Sequence, residues 1–254
     1  MRYPLLAGVL LHRRVDLITI EEDGEDMQLP KLDNRLTTAV RYVRAGAVVA
    51  DVGTDHAYLP VYLTATGQAR FAVASDINEG PIARAAQHVA EYGLSDKVKT
   101  LRADGLAGLE AYAPTDIIIF GMGGELIARI LSDAPWVRDA GIRLILQPMT
   151  HAESVRTYLS EQGFAIIDET LSREGGKIYQ TIVAEFDGKT RTVDTLTAEI
   201  GRFARPCDGE TETLRTLFLR HRIEVLSAAA AGKERAGVDT EAERRLIAQM
   251  EECL

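Results

Sequence analysis

The stretch ADVGTDHAYLP, Ala50 to Pro60, runs from an apolar strand-like segment into an acidic residue, a glycine and a second acidic residue. Strands that end in this manner commonly deliver a ligand to the start of the following helix. A diphosphate cofactor such as NAD needs further glycines there, so that its phosphates reach backbone N–H groups. The loop instead reads Gly53, Thr54, Asp55, His56, with one glycine and a carboxylate. At about 4 Å a carboxylate and a phosphate repel by roughly 1 to 4 kcal/mol, for a dielectric between that of water and that of a protein surface. The loop therefore favours a ligand that is cationic and free of phosphate.

The surrounding pattern sets this stretch in a sheet. Upstream, Asp33 is an N-cap candidate, Leu36, Val40 and Val43 repeat at helical spacing, and Gly46 breaks the pattern before the strand AVVADV. Downstream, FAVASD, VKTLRAD, TDIIIFG and GIRLILQP read as strands two to five. The best marked helix between them is Gly80 to Tyr92, with Pro81 in its first turn and Gly93 just past its end. Near-continuous Val, Ile and Leu runs imply a parallel sheet covered by helices on both faces. FAIIDETLS and KIYQTIVAEF, separated by REGG, then read as an antiparallel hairpin added to that sheet. Five parallel strands and a hairpin form the α/β arrangement of Rossmann-like class I methyltransferases, a fold-level analogy that says little about function. After Asp187 the strands stop. Leu214, Phe218, Val225 and Ala228 form one apolar stripe and Ala242, Leu246 and Met250 another, so a C-terminal helical hairpin is expected, connected by AGKERAGV.

The strand ends carry a set of carboxylates. Asp51 lies near the end of the first strand and Asp55 in the loop after it, Asp76 closes the second strand and Asp104 closes the third, with Ile77 and Gly105 next to them. An acid at the end of strand two can accept hydrogen bonds from ribose hydroxyls, and one after strand three can take an adenine amino group. S-adenosylmethionine has an adenosine, an ammonium and a sulfonium but no phosphate, and it fits this set. Each residue also has a plain structural alternative. A lone Asp after a strand caps a helix or forms a turn, the glycines of FGMGGEL serve a tight turn, and His56 is a polar residue at a helix start. Several such features at successive strand ends are more informative than any one of them.

Composition sets the limits. With 254 residues, 46% hydrophobic and 26% charged, the chain is expected to be a soluble globular protein. Its net charge of −9 counts against a nucleic-acid partner. Cys207 and Cys253 are too few for a disulfide framework or a zinc site, so no metal is expected and a cytoplasmic location fits. The opening MRYPLLAGVLLHRR lacks a cleavage site and no segment approaches a membrane span, so no membrane partner is expected. Met1 to Asp26 is expected to be a disordered leader or an over-long start. The resulting organisation is a leader over 1–30, a cofactor-binding domain over 31–187 and a helical domain over 188–254.

Taken together, ADVGTDHAYLP, FGMGGELI, LILQPMTHAESVRTYL and EGGKIYQTIVAEF closely resemble the bacterial tRNA (adenine-22 N1)-methyltransferases, the TrmK family, over about Leu32 to Phe186. The resemblance implies methyl transfer from S-adenosylmethionine to N1 of an adenine in the D-arm region of tRNA. It carries cofactor binding onto Asp51, Gly53, Asp76 and Asp104, with Gly121 and Met122 lining the cleft, and points to Asp55 for catalysis, with His56 and Tyr58 orienting the base. Enzymes that methylate exocyclic amines place an Asn or Asp, two prolines and an aromatic residue after strand four, whereas this chain has Phe120, Gly121, Met122 and Gly123. A ring nitrogen with an in-plane lone pair needs alignment more than an activating amide. A monomer is expected. For tRNA contacts the candidates are Arg202, Arg205, Arg215, Arg220 and Arg222, and near the first helix Lys31, Arg35, Arg41 and Arg44, since residues 188–254 carry only −1 of the charge and residues 1–187 carry −8. Methyl transfer to a small molecule or protein, nicotinamide-dependent hydride transfer and a non-enzymatic RNA-binding module are the competing readings.

Overall fold

The computed structural model describes residues 29–254, so the expected leader, Met1 to Asp26, lies outside the described residues. Helix α1 (Asn34–Tyr42) starts at the expected cap, where Asp33 Oδ1 accepts from the Leu36 N–H at 2.7 Å. This satisfies one of the donors that a helix start leaves unpaired. The chain then alternates β1 (Ala47–Val52), α2 (Tyr58–Ala65), β2 (Ala69–Asp76), α3 (Glu79–Glu91), β3 (Val98–Arg102), β4 (Asp116–Gly123), α4 (Gly124–Ser132), β5 (Arg143–Thr150) and α5 (Ala152–Glu161). Strands β6 (Phe164–Glu174) and β7 (Lys177–Phe186) close the sheet, and α6 (Thr195–Ile200), α7 (Gly209–Arg235) and α8 (Glu241–Glu251) follow.

The seven strands lie in the order β3-β2-β1-β4-β5-β7-β6. β1 to β5 are mutually parallel, and β7 is antiparallel to both β5 and β6. All six residues of β1 are buried, as a central strand covered on both faces requires. One apolar layer, with Ile117, Ile119, Ile127, Leu144 and Val155, fills one face. A second, with Val49, Leu59, Leu63, Ile118 and Ile145, fills the other. The order reverses between β1 and β4, which is where an open sheet of this kind leaves a crevice at the strands' carboxyl ends.

The structure moves several expected boundaries. β3 ends at Arg102, so Asp104 lies two residues past the strand and does not close it. β6 and β7 pair out to Glu174 and Lys177, which reduces the REGG turn to Gly175 and Gly176. α6 was not expected, because its six residues are too few to show a helical period. α7 continues to Arg235 and absorbs most of AGKERAGV, and α8 starts at Glu241.

The apolar stripes also differ from expectation. Val225 is 41% exposed, and Ala228 and Ala242 are exposed as well. The buried face of α7 instead holds Phe218, Leu219 and Ala230, together with Arg215. Periodicity in apolar residues misses this face because one of its positions is an arginine. The Arg215 guanidinium donates to Phe203 O at 2.9 Å, to Glu212 Oε1 at 2.7 Å and to Cys253 O, so its burial is satisfied. These helices share a core with the sheet hairpin, in which Leu171 of β6 and Ile178 of β7 pack with Ile200, Phe203, Phe218, Leu219, Leu246 and Met250.

Candidate functional site

The loops after β1 and β4 meet at the reversal of strand order. Gly53 has φ +81°, and a Cβ there would overlap Met122 Cε. The backbone conformation favours glycine, and the contact brings the tip of the Met122 side chain from the β4 loop against the β1 loop. The N–H groups of Gly53 and Thr54 both donate to Ser75 O of β2, at 2.8 and 2.9 Å. Opposite, the Gly121 N–H donates to Gln147 Oε1 at 3.1 Å, and Gln147 is fully buried in β5. The FGMG turn is thus held by a neighbouring strand, and sequence reasoning missed Gln147.

Asp51 sits at the base of this crevice and is 8% exposed. Burial pushes its carboxyl up to about 6, opposed by a hydrogen bond from Thr54 and by the charge of Arg35. The Thr54 hydroxyl also caps the turn, accepting from the Ala57 N–H at 3.1 Å. Arg35 reaches over from α1, with its guanidinium close enough to Gly121 that a Cβ there would lie 3.7 Å from Nη1. A half-buried guanidinium beside a buried carboxylate is a donor set suited to a zwitterion. The carboxylate takes an ammonium and the guanidinium a carboxylate.

Asp55 projects from the same loop and its side chain is 62% exposed. Arg84 of α3 binds Asp55 Oδ1 through both Nε, at 3.1 Å, and Nη2. His56 Nε2 lies 3.4 Å from Asp55 Oδ2. The His56 ring stacks on Tyr58, with centroids 5.1 Å apart and planes at 21°. Ala57 between them is left-handed, with φ 53°, which turns the chain into α2.

The remaining expected residues lie along the same edge. Asp76 ends β2 and its Oδ1 accepts from the Asn78 N–H at 2.7 Å, with Ile77 exposed beside it. Asp104 is exposed beyond β3, and Gly105 packs against Ile130 of α4. The structure brings Asp51, Gly53, Gly121 and Met122 together at the reversal point and sets Asp55, His56 and Tyr58 beside them, with Asp76 and Asp104 farther along the edge.

Several cations expected at the nucleic acid are committed elsewhere. Arg44 donates to the buried carboxylate of Asp116 at 3.1 Å and to Gly141 O at 2.8 Å. Asp116 begins β4, so this pair lies at the opposite edge of the sheet from the crevice. Arg215 is buried, Arg202 pairs with Asp168, and Arg222 pairs with Glu199. Among the described residues Lys31, Arg41, Arg205 and Arg220 are exposed without a salt bridge. Two concave regions lie away from the crevice. One is between α7 and α8, and the other is beside the Arg156–Glu169 pair, where the lining side chains already bond one another. No helix among the described residues is long and apolar enough to cross a membrane.

Comparison with known proteins bears on the family and the fold. The methyltransferase domain family matches residues 32–182. The tRNA (adenine(22)-N(1))-methyltransferase of Bacillus subtilis strain 168 is 38% identical over 176 residues, covering 69% of this chain and 74% of that protein. The crystal structure of B. subtilis TrmK superposes with a TM-score of 0.72 at 32% identity, covering 88% of this chain and 95% of that one. Sp1610 of Streptococcus pneumoniae, solved in complex with S-adenosyl-L-methionine, superposes with a TM-score of 0.76 at 31% identity, covering 88% of this chain and all of that one.

Proposed function

The chain belongs to the tRNA (adenine(22)-N(1))-methyltransferase family, and on that premise we propose how its crevice carries out methyl transfer to N1 of adenine 22 in tRNA. The cofactor is S-adenosylmethionine, which supplies a methyl group on a positively charged sulfur. The observation that carries the reading is the meeting of Asp51, Gly53 and Met122 where the strand order reverses, with Asp55 presented just beyond them. Asp51 receives the ammonium of the cofactor's amino-acid end and Arg35 its carboxylate. In this reading Asp76 accepts from the ribose hydroxyls and Asp104 from the adenine amino group, flanked by Ile77 and Gly105. Gly121 and Met122 form the opposite wall.

On the substrate side Asp55 is the catalytic group. Arg84 holds its Oδ1, which orients the carboxylate, and Oδ2, 3.4 Å from His56 Nε2, faces the substrate side to accept a hydrogen bond. As N1 of the adenine takes the methyl group, positive charge spreads toward the exocyclic amine, and Asp55 Oδ2 accepts the amine's hydrogen bond and stabilises that charge. His56 and Tyr58 orient the base. The remaining rate enhancement comes from alignment of the N1 lone pair with the methyl group. The helices of residues 188–254 bear on the tRNA, whose target base must leave its stack at a cost of a few kcal/mol.

The test is incubation of the protein with unmodified tRNA and methyl-labelled cofactor, followed by mapping of the modified nucleoside. Label at N1 of adenine 22 is expected; label absent from tRNA, or on a protein or small molecule, overturns the assignment. Asp55→Asn is expected to lower kcat by about 100-fold or more with the cofactor Kd unchanged. Near-normal turnover of that variant removes Asp55 from the chemistry.

A further inference from the structure

Asp55 stands at one end of a run of four aromatic rings, of which the reaction uses only the first two, His56 and Tyr58. His56 stacks on Tyr58, the Tyr58 ring meets His88 edge to face at 4.8 Å and 79°, and His88 meets Tyr92 at 4.8 Å and 68°. Arg84 and His88 lie four residues apart on one face of α3, and Tyr92, the C-cap residue, continues the spacing just past the helix end. The guanidinium at the head of that face grips Asp55, which fixes the register of the rings to the substrate side of the crevice.

The composition of α3 sharpens the point. Its packing on the sheet is carried by Ala85 and Val89, both buried. Its exposed positions include Ala83, Ala86, Gln87 and Ala90, none of them aromatic, and its large rings lie on the face turned toward Asp55. Tyr58 is 41% exposed, and His56, His88 and Tyr92 are half-buried. Among the described residues no hydrogen bond engages the buried Nδ1 of His88, whose ring is packed between Tyr58 and Tyr92. Of the charged groups nearby, Arg84 is half exposed, and the Glu91 carboxylate accepts from Gln87 Nε2 at 2.9 Å.

We propose that His88 and Tyr92 extend the His56–Tyr58 pair, which orients the target base, into a stacking surface for unpaired nucleotides of the tRNA next to that base, leading the strand along α3 away from Asp55. Unpaired bases are recognised by stacking on such rings, which tolerates sequence. This inference rests on the tRNA-methylating function proposed above.

Tyr92 is the ring farthest along the chain of contacts from Asp55 and serves as the test. Tyr92→Leu, which keeps apolar filling but removes the ring, is expected to raise the KM for tRNA about fivefold or more. Its kcat at saturating tRNA, its cofactor Kd and its thermal midpoint are expected to stay near wild type. Tyr92→Phe should keep the wild-type KM within about twofold. Tyr92→Trp should retain activity and show indole emission quenched by unmodified tRNA, beyond any change at Trp136 in the wild type. An unchanged KM in a folded Tyr92→Leu protein, an equal loss in Tyr92→Phe, or an indole indifferent to tRNA overturns the stacking surface. If the wild type methylates tRNA in the same assay, only this inference falls; if it does not, the function it rests on falls as well.

Discussion

At the scale of single residues, Asp51 joins burial to ligand charge. Its carboxyl is raised from 3.8 to about 6, chiefly by desolvation, so the unliganded fold holds a proton that the unfolded chain has already released. Between those values native protein binds more protons than unfolded protein, and stability therefore falls as pH rises through that window and levels off above it. Asp51→Asn removes the slope and is expected to stabilise the unliganded protein at pH 7 by up to about 3 kcal/mol, measured by urea unfolding. A cationic ligand selects the ionised form. Binding of S-adenosylmethionine is accordingly expected to be about tenfold weaker at pH 5 than at pH 7 by calorimetry, with the dependence much reduced in Asp51→Asn. The acids at the strand ends are legible in sequence because each follows a recognisable apolar run. Arg35, Arg84 and Gln147 are not, because what matters about them is a partner 26 or 29 residues away, or on another element altogether.

At the scale of elements, the crevice depends on how tightly neighbouring connections fit. Gly124 opens α4 directly after β4, and a Cβ there would overlap the carbonyl of His151, which turns β5 into α5 through a left-handed φ of 52°. The obstacle is backbone, not a flexible side-chain tip. Gly124→Ala is expected to cost about 1 to 3 kcal/mol in urea unfolding and to displace the β4 loop that carries Gly121 and Met122. The pair Arg156–Glu169 joins α5 to β6 at 2.7 Å with both side chains nearly fully buried. Arg156 also donates to the carbonyls of Ala198 and Glu199 and to Gln180 Oε1, and Glu169 Oε2 accepts from the Arg202 N–H. Every polar valence of this network reaches across elements. Glu169→Gln is expected to destabilise by roughly 3 to 5 kcal/mol, because it leaves a buried guanidinium without its counter-charge. Neither the network nor α6 was visible in the linear pattern, where Arg156 reads as one more polar residue on an amphipathic helix.

At the scale of the whole molecule, the helices after the sheet share a core with it and are no detachable appendage. Leu171 and Ile178 of the sheet hairpin pack with Ile200, Phe203, Phe218 and Leu246, and Arg156 finds two of its acceptors in α6. Deletion of residues 188–254 is therefore expected to lower the thermal midpoint and expose apolar surface of β6 and β7, as well as to abolish activity on tRNA. A truncated protein with a wild-type midpoint would show the two parts to be independent. The alternation of apolar runs and helical patterns was enough to specify seven strands, their parallel and antiparallel sense and the edge that gathers the acids, because period and burial are local properties of a chain. Which side chains meet at that edge was settled only by the folded sheet. The Gly53–Met122 contact, the Arg84 grip on Asp55 and the line of four rings each join residues from different elements, and their spacing follows from the order β3-β2-β1-β4-β5 and the twist of the strands, which no window of sequence contains.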